Sequence, residues 1–451
     1  MLRWINRSPE STVMSRREGL RAGFLAFGGL TLSQQLRLQA QGAGPKKDTA
    51  VLLVFVHGGP SHLETYDMKP HASAEIRGPF MPIATKVPGI HVCEYLPEHA
   101  AIADKFTLIR SCCHDEADHF AGHRRFLSGY GKLKSGTFYE PHYPMVGAVA
   151  NRLLGSRVAG MPAAVSVGGV VVNGPDYAAG VGEGFWPSIY RVPILNNGLR
   201  DGWLQMATDR MTDRSSLRSS LDGFRRAADV SGSMQAGDEF ERQAIDILAS
   251  GKAQKAFDLS LESESTREAY GSDYGAELLT ALRLVEAGVS FVTMRVHGGS
   301  ALSKAYDWDD HAVNWDMREA MIGRLPRYDR VISRLIRDIH DRGLDKKVLV
   351  VVTGEFGRTP RLENENGRIG RDHWPGAMSI LMTGGGIRTG QVIGATDEIG
   401  ARPKERTLDP RDILATIYHH LGIDPHQYIE DNFGRPLALT EGNVVKELWT
   451  G

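Results

Sequence analysis

Six short, unbroken apolar runs recur along the chain: Val51–Val56 (VLLVFV), Phe106–Ile109 (FTLI), Ala163–Val167 (AAVSV), Phe291–Val296 (FVTMRV), Val348–Val352 (VLVVV) and Met378–Met382 (MSILM). A strand with one wet face alternates apolar and polar residues. Continuous apolar runs suit strands buried on both faces of a parallel sheet. Helix-like stretches lie between them, at Glu239–Phe257, Asp273–Ala287 and Leu325–Arg342. That alternation predicts an α/β fold, a doubly wound and mostly parallel sheet flanked by helices. A last helix is marked at both ends: Asp409-Pro410 supplies an N-cap and a proline at the first helical position, and Gly422 can close it.

The first 43 residues follow another pattern. Ser15-Arg16-Arg17-Glu18-Gly19-Leu20-Arg21 precedes a short apolar stretch, Ala22–Leu32, and then Gln-rich sequence to Ala43. Paired arginines, a modest apolar region and small residues beyond it predict a twin-arginine-type export signal over 1–43. An ordinary amphipathic N-terminal helix is the plainer alternative. The stretch is too short and Gly-rich for a membrane span, and no later segment is long and apolar enough. The expectation is a periplasmic or otherwise exported protein with its domain at 44–451 and a surface insertion near 200–237, where Asp, Arg, Ser and Gly crowd.

Charge changes the picture mainly by exclusion. With 53 basic and 54 acidic residues among 451, the formal net charge is -1. No basic excess points to nucleic acid or an anionic membrane, so chemistry has to come from local clusters. The three cysteines, Cys93 and the adjacent Cys112 and Cys113, show neither disulfide nor zinc-site spacing and read as small buried hydrophobes.

Five polar clusters sit beside predicted strand ends, where open parallel sheets place their ligands. The first is His57-Gly58-Gly59-Pro60-Ser61-His62-Leu63-Glu64-Thr65-Tyr66-Asp67. Its glycines let backbone approach a ligand, and His57 or Ser61 could face it; both could equally serve loop hydrogen bonds. The second holds His114, Asp115, Glu116, Asp118, His119 and His123. A helix starting near Asp118 would stack His119 over His123, a spacing that suits a metal or a phosphate-like anion. The third, Asp307-Trp308-Asp309-Asp310-His311, brings three carboxylates that repel one another unless a cation or arginines balance them. Mixed oxygen and imidazole donors suit zinc, manganese or iron. In the fourth, Glu355 at the mouth of a buried strand could ligate metal while Arg358 grips an anion; a Glu355–Arg358 salt bridge is the structural alternative. The fifth, Gly370-Arg371-Asp372-His373-Trp374-Pro375, offers His373 as a ligand oriented by a neighbouring carboxylate.

The stretches HGGPSHLETYD, WDDH, GEFGRTP, GRDHWP and GGGIRTGQVIGATDEIG, in that order, resemble bacterial domain-of-unknown-function family 1501, within the alkaline phosphatase/sulfatase superfamily. The resemblance runs from Val51 to about Asp424. It implies one or two divalent metal ions (zinc, manganese, iron or calcium) beside a nucleophile that attacks a phosphate or sulfate ester. HFAGHRRFLSG resembles the sulfatase nucleophile helix and places His119 at the nucleophile and His123 at an arginine. Asp309, His311 and His373 resemble one ligand set; Glu355 falls on an Asp ligand and His57 near the first Asp ligand. The chain departs from that pattern in having no Ser, Thr or Cys at the nucleophile position and Phe356 where a His or Asn ligand stands.

The resemblance therefore implies an exported hydrolase acting on small-molecule or polysaccharide sulfate or phosphate esters. Either metal-activated water attacks, with Arg358 steadying developing charge, or His119 attacks and is itself modified. Ser61 is a further candidate nucleophile. The opposing expectation is a non-catalytic periplasmic binding or assembly protein on a disabled hydrolase fold.

Overall fold

All six apolar runs become strands of one eight-stranded sheet. In the computed structural model the described residues are 48–131, 143–158, 161–168, 182–195, 251–296, 307–431 and 433–450. They belong to one compact unit, Asp48–Gly451. The expected export signal at 1–43 and the expected insertion near 200–237 lie outside them. The sheet strands are β1 (Ala50–Val56), β2 (Thr107–Cys112), β3 (Ala164–Val167), β4 (Ile194–Leu195), β5 (Phe291–Val296), β6 (Val348–Thr353), β7 (Met378–Gly384) and β8 (Gln391–Ile393).

Their order across the sheet is β8-β2-β7-β6-β1-β5-β3-β4. Every pairing is parallel except those of β7, which runs antiparallel to both β2 and β6. β1 lies in the middle, every residue buried, with Val51 opposite Phe291 on one side and Leu349 on the other. Its side chains alternate between two cores. Leu52, Val54 and Val56 join one cluster; Val51, Leu53 and Phe55 join the other. Each such side chain contributes about 1.5–3 kcal/mol of burial.

Helices cover both faces. One core takes residues of α3 (Tyr274–Glu286) and α4 (Met317–Asp341), such as Leu282 and Ile336. The other takes those of α1 (His119–Ser128), α2 (Val146–Leu154) and α5 (Pro410–Leu421), such as Phe126, Val149 and Ile417. α5 forms between its predicted signals: Asp409 and Asp412 make a capping box, and Gly422 adopts the left-handed C-cap. α4 starts eight residues before its expected beginning. Its N-cap is Asp316, whose side chain accepts from the Glu319 N–H at 3.1 Å, and Pro326 lies inside the helix rather than at its start. Of the stretch 239–257, only Gly251–Phe257 is described, and it is helical. Among the described residues, no helix is long and apolar enough to cross a membrane.

Candidate metal centre

The loops after β1, β2 and β6 leave the sheet at the same edge, because these three strands run in one direction. His57 is the first residue past β1, and Glu355 is two residues past β6. His119 opens α1 and His123 follows one turn later on the same face. Asp118 fixes that opening as N-cap, accepting from Phe120 N at 3.0 Å and Ala121 N at 3.2 Å. His373 comes from a two-residue ribbon in which it pairs with Arg358.

Glycine lets these segments close on one another. Gly58 has φ +103°, and a Cβ there would stand 2.5 Å from the backbone nitrogen of Asp309. The backbone bond from Trp308 N to His57 O, at 3.0 Å, ties the same two loops together. Gly58 N also donates to Glu355 Oε1 at 2.9 Å. A Cβ on Gly59 would stand 2.5 Å from the Phe356 ring, so the bulky residue at this expected ligand position is packed beneath a glycine.

Two donor groups result. In the first, Nε2 of His311 and Nε2 of His373 are 2.9 Å apart, and each is 3.0 Å from Asp309 Oδ1. The far nitrogen of His373 lies 2.6 Å from Ala117 O, an acceptor, and therefore carries a proton. The far nitrogen of His311 faces Asp372 Oδ1 at 3.4 Å. A His373 ring that carries its one proton on that outer nitrogen points the lone pair of Nε2 at the carboxylate oxygen, with the His311 nitrogen beside it. The three repel one another unless protons or a metal cation fill the centre. Carboxylate and imidazole oriented by outer partners is the donor chemistry of a divalent metal site.

The second group is buried: His57, His123 and Glu355. His57 Nδ1 and His123 Nε2 are 3.2 Å apart, and each lies 3.8 Å from the Glu355 carboxylate. Burial pushes His57 down to about 3 and lowers His123 as well, so both rings are held neutral with lone pairs available. His57 and Glu355, both expected near ligand positions, are thus joined by His123, while His119 bonds Glu355 from the other side.

His119 stands between the groups. Its Nδ1 donates to Glu355 Oε1 at 2.7 Å and its Nε2 lies 3.4 Å from Asp309 Oδ1. Burial alone would lower its pKa, but Asp309 and Glu355, one at each nitrogen, lift it to about 10. Against the upward push of burial, His119, His311, His373 and Arg358 hold Asp309 far below the usual carboxylate range. Glu355 is lowered against burial by His123 and His119.

Two of the three clustered carboxylates are balanced by arginines. Asp310 turns inward and is fully buried against Arg324, Nη2 to Oδ2 2.6 Å. Asp309 accepts from Arg358 Nη2 at 2.6 Å. Asp307, partly buried with a pKa raised by burial, lies 3.8 Å from His57 Nε2.

Arg358 is fully buried and does not pair with Glu355. Besides Asp309 it donates to the carbonyls of Gly59 at 2.9 Å, Arg371 at 3.0 Å, Trp308 at 3.2 Å and Gly58. It stands behind Asp309 as a brace, a place that differs from the anion grip expected of it. Ser61 is fully buried and donates its hydroxyl to Glu64, away from both donor groups. The carboxylate beside His373 in sequence, Asp372, faces His311 instead, and a backbone carbonyl orients His373.

The chain belongs to the family described as "Protein of unknown function (DUF1501)", whose model matches residues 48–449. No curated protein matches it. Similar solved structures include a phosphonate monoester hydrolase from Silicibacter pomeroyi, at 12% identity over 89% of this chain and 76% of that one, with TM-score 0.40. The PsFucS1 sulfatase from Pseudoalteromonas sp. is 13% identical over 87% and 70%, with TM-score 0.37. Alkaline phosphatase from the Antarctic bacterium TAB5 is 12% identical over 83% and 99%, with TM-score 0.35.

Proposed function

We propose that this is an exported metal-dependent hydrolase of phosphate or sulfate esters, in which Asp309, His311 and His373 hold a divalent metal. The observation that carries the reading is the convergence of three donor atoms at 2.9–3.0 Å, with the outer His373 nitrogen committed to a carbonyl. His57, His123 and Glu355 are the residues for a second ion. A metal held there supplies a Lewis acid for the ester oxygen and a lowered pKa for water. Zinc, manganese, iron and calcium remain the candidate ions, and a small-molecule or polysaccharide ester the substrate class.

The chain's own residues have distinct tasks in this account. Arg358 positions Asp309. His119, partly exposed between Asp309 and Glu355, is placed to supply a proton to the departing ester oxygen as the bond to phosphorus or sulfur breaks. Direct attack by water is favoured over a covalent route, since the Ser61 hydroxyl is committed to Glu64 and the two His119 nitrogens face Glu355 and Asp309.

Hydrolysis of aryl phosphate and sulfate esters by the purified, metal-supplemented protein tests this. Activity should fall to background in Asp309→Ala and in His373→Ala. Activity that survives both substitutions would refute the site. Bound metal without hydrolysis across the panel would instead favour the non-catalytic binding or assembly protein.

A further inference from the structure

Beneath the Asp307–His311 turn, on the side facing the sheet, lies a small internal cavity lined by Pro60, His62, Tyr66, Trp308, Tyr328 and Ser379 among others. Three of its lining residues carry a buried polar atom with no hydrogen-bond partner among the described residues: Trp308 Nε1, His62 Nδ1 and Ser379 Oγ. Leaving such an atom unpaired costs about 1–3 kcal/mol, so three around one space require an explanation.

Their chemistry is complementary. Indole Nε1–H can only donate. His62 Nε2 lies 2.8 Å from Gly400 O and must donate to it, which leaves Nδ1 of the neutral ring as an acceptor. The Ser379 hydroxyl can do either. A single water can accept from Trp308, donate to His62 and use its remaining proton or lone pair on Ser379. The other polar lining groups are already engaged: the Tyr66 and Tyr328 hydroxyls pair at 3.0 Å, and Thr65 Oγ1 donates to Ser61 O at 2.7 Å.

We propose that this cavity is a built site for one ordered water, bound by Trp308 Nε1, His62 Nδ1 and Ser379 Oγ. The water joins the loop after β1 and strand β7 to Trp308, the residue between Asp307 and Asp309. Trp308 already accepts from Arg358 at its carbonyl and carries the Arg324 guanidinium 4.4 Å over its ring. The water thus completes the underside of the turn that carries Asp309 and His311. The inference is independent of whether the metal reading holds.

A high-resolution crystal structure of the purified chain tests it directly. The expected result is density for a water about 2.7–3.2 Å from Trp308 Nε1 and within bonding distance of His62 Nδ1. A dry cavity, or side chains turned to bond one another, would overturn it. In solution, the Trp308 indole N–H, assigned by its disappearance in Trp308→Phe, should show a magnetisation-transfer peak to a long-lived water. Lack of that peak in the unsubstituted protein would count equally against the proposal. If Trp308→Phe does not fold, the crystal structure alone decides.

Discussion

Replacing Arg371 by methionine should be among the most damaging single changes in the chain, though the residue touches neither donor group. Its guanidinium is fully buried. It donates to Glu64 Oε1 at 2.6 Å and Oε2 at 2.9 Å, and to the carbonyls of Pro360 at 2.5 Å, Ile76 at 2.8 Å and Thr359 at 2.9 Å. Methionine fills much of the volume but strands the Glu64 carboxylate, itself fully buried, with only Ser61 left as a side-chain donor. Removing one partner of a buried pair costs about 3–5 kcal/mol, because the remaining charge is desolvated and uncompensated. The stranded carbonyls add to this only as far as they cannot turn to water. The double variant Arg371→Met/Glu64→Leu removes the charge as well and should recover a substantial part of the loss. Chemical denaturation of the two single variants and the double gives the coupling energy. A cost below about 1 kcal/mol for Arg371→Met, or a double variant no better than the sum of the singles, would refute the reasoning.

Other consequences follow from the site itself. His119 has a folded-state pKa raised to about 10 against an ordinary value of 6.5. Its contribution to stability in the metal-free protein is therefore fully present below about pH 6.5 and lost as pH rises through 10. Melting temperature should fall across that window, and His119→Ala should flatten the fall; a slope unchanged in the variant would contradict the assignment. Gly58→Ala places a side chain at φ +103° and 2.5 Å from Asp309 N, so it should cost at least about 1–3 kcal/mol and weaken metal binding. An alanine variant that melts like the parent and binds metal equally would show that these loops do not close as described. Ser61→Ala should leave ester hydrolysis measurable, with stability reduced by about 1–3 kcal/mol through loss of the donor to Glu64; complete loss of activity in a folded Ser61→Ala protein would return Ser61 to the chemistry.

Much of the fold was legible because burial on both faces leaves a plain mark in sequence. Phe291–Val296 needed no adjustment, and the other five apolar runs shifted by a few residues at their ends. Strand direction left no such mark: Met378–Gly384 reads like its neighbours, yet it runs against them, since a buried strand looks the same either way. The helix expected from Leu325 begins at Met317, because Asp316 caps it and Pro326 is accommodated in its interior. At the site, sequence could gather the five clusters at strand ends but not apportion them. Which carboxylate in Asp307-Trp308-Asp309-Asp310 turns inward depends on Arg324, and the brace behind Asp309 on Arg358, both distant in the chain. The His123–His57 contact likewise depends on how α1 docks over β1, which residue spacing alone does not specify.

The central claim is that Asp309, His311 and His373 bind a divalent metal, and metal analysis of the protein purified without chelators or a histidine tag tests it most directly. The account predicts about one or two equivalents of bound metal, with the ion at this centre lost in His373→Ala and Asp309→Ala. A folded protein that retains no metal, even after zinc, manganese, iron and calcium are each added back, would contradict it.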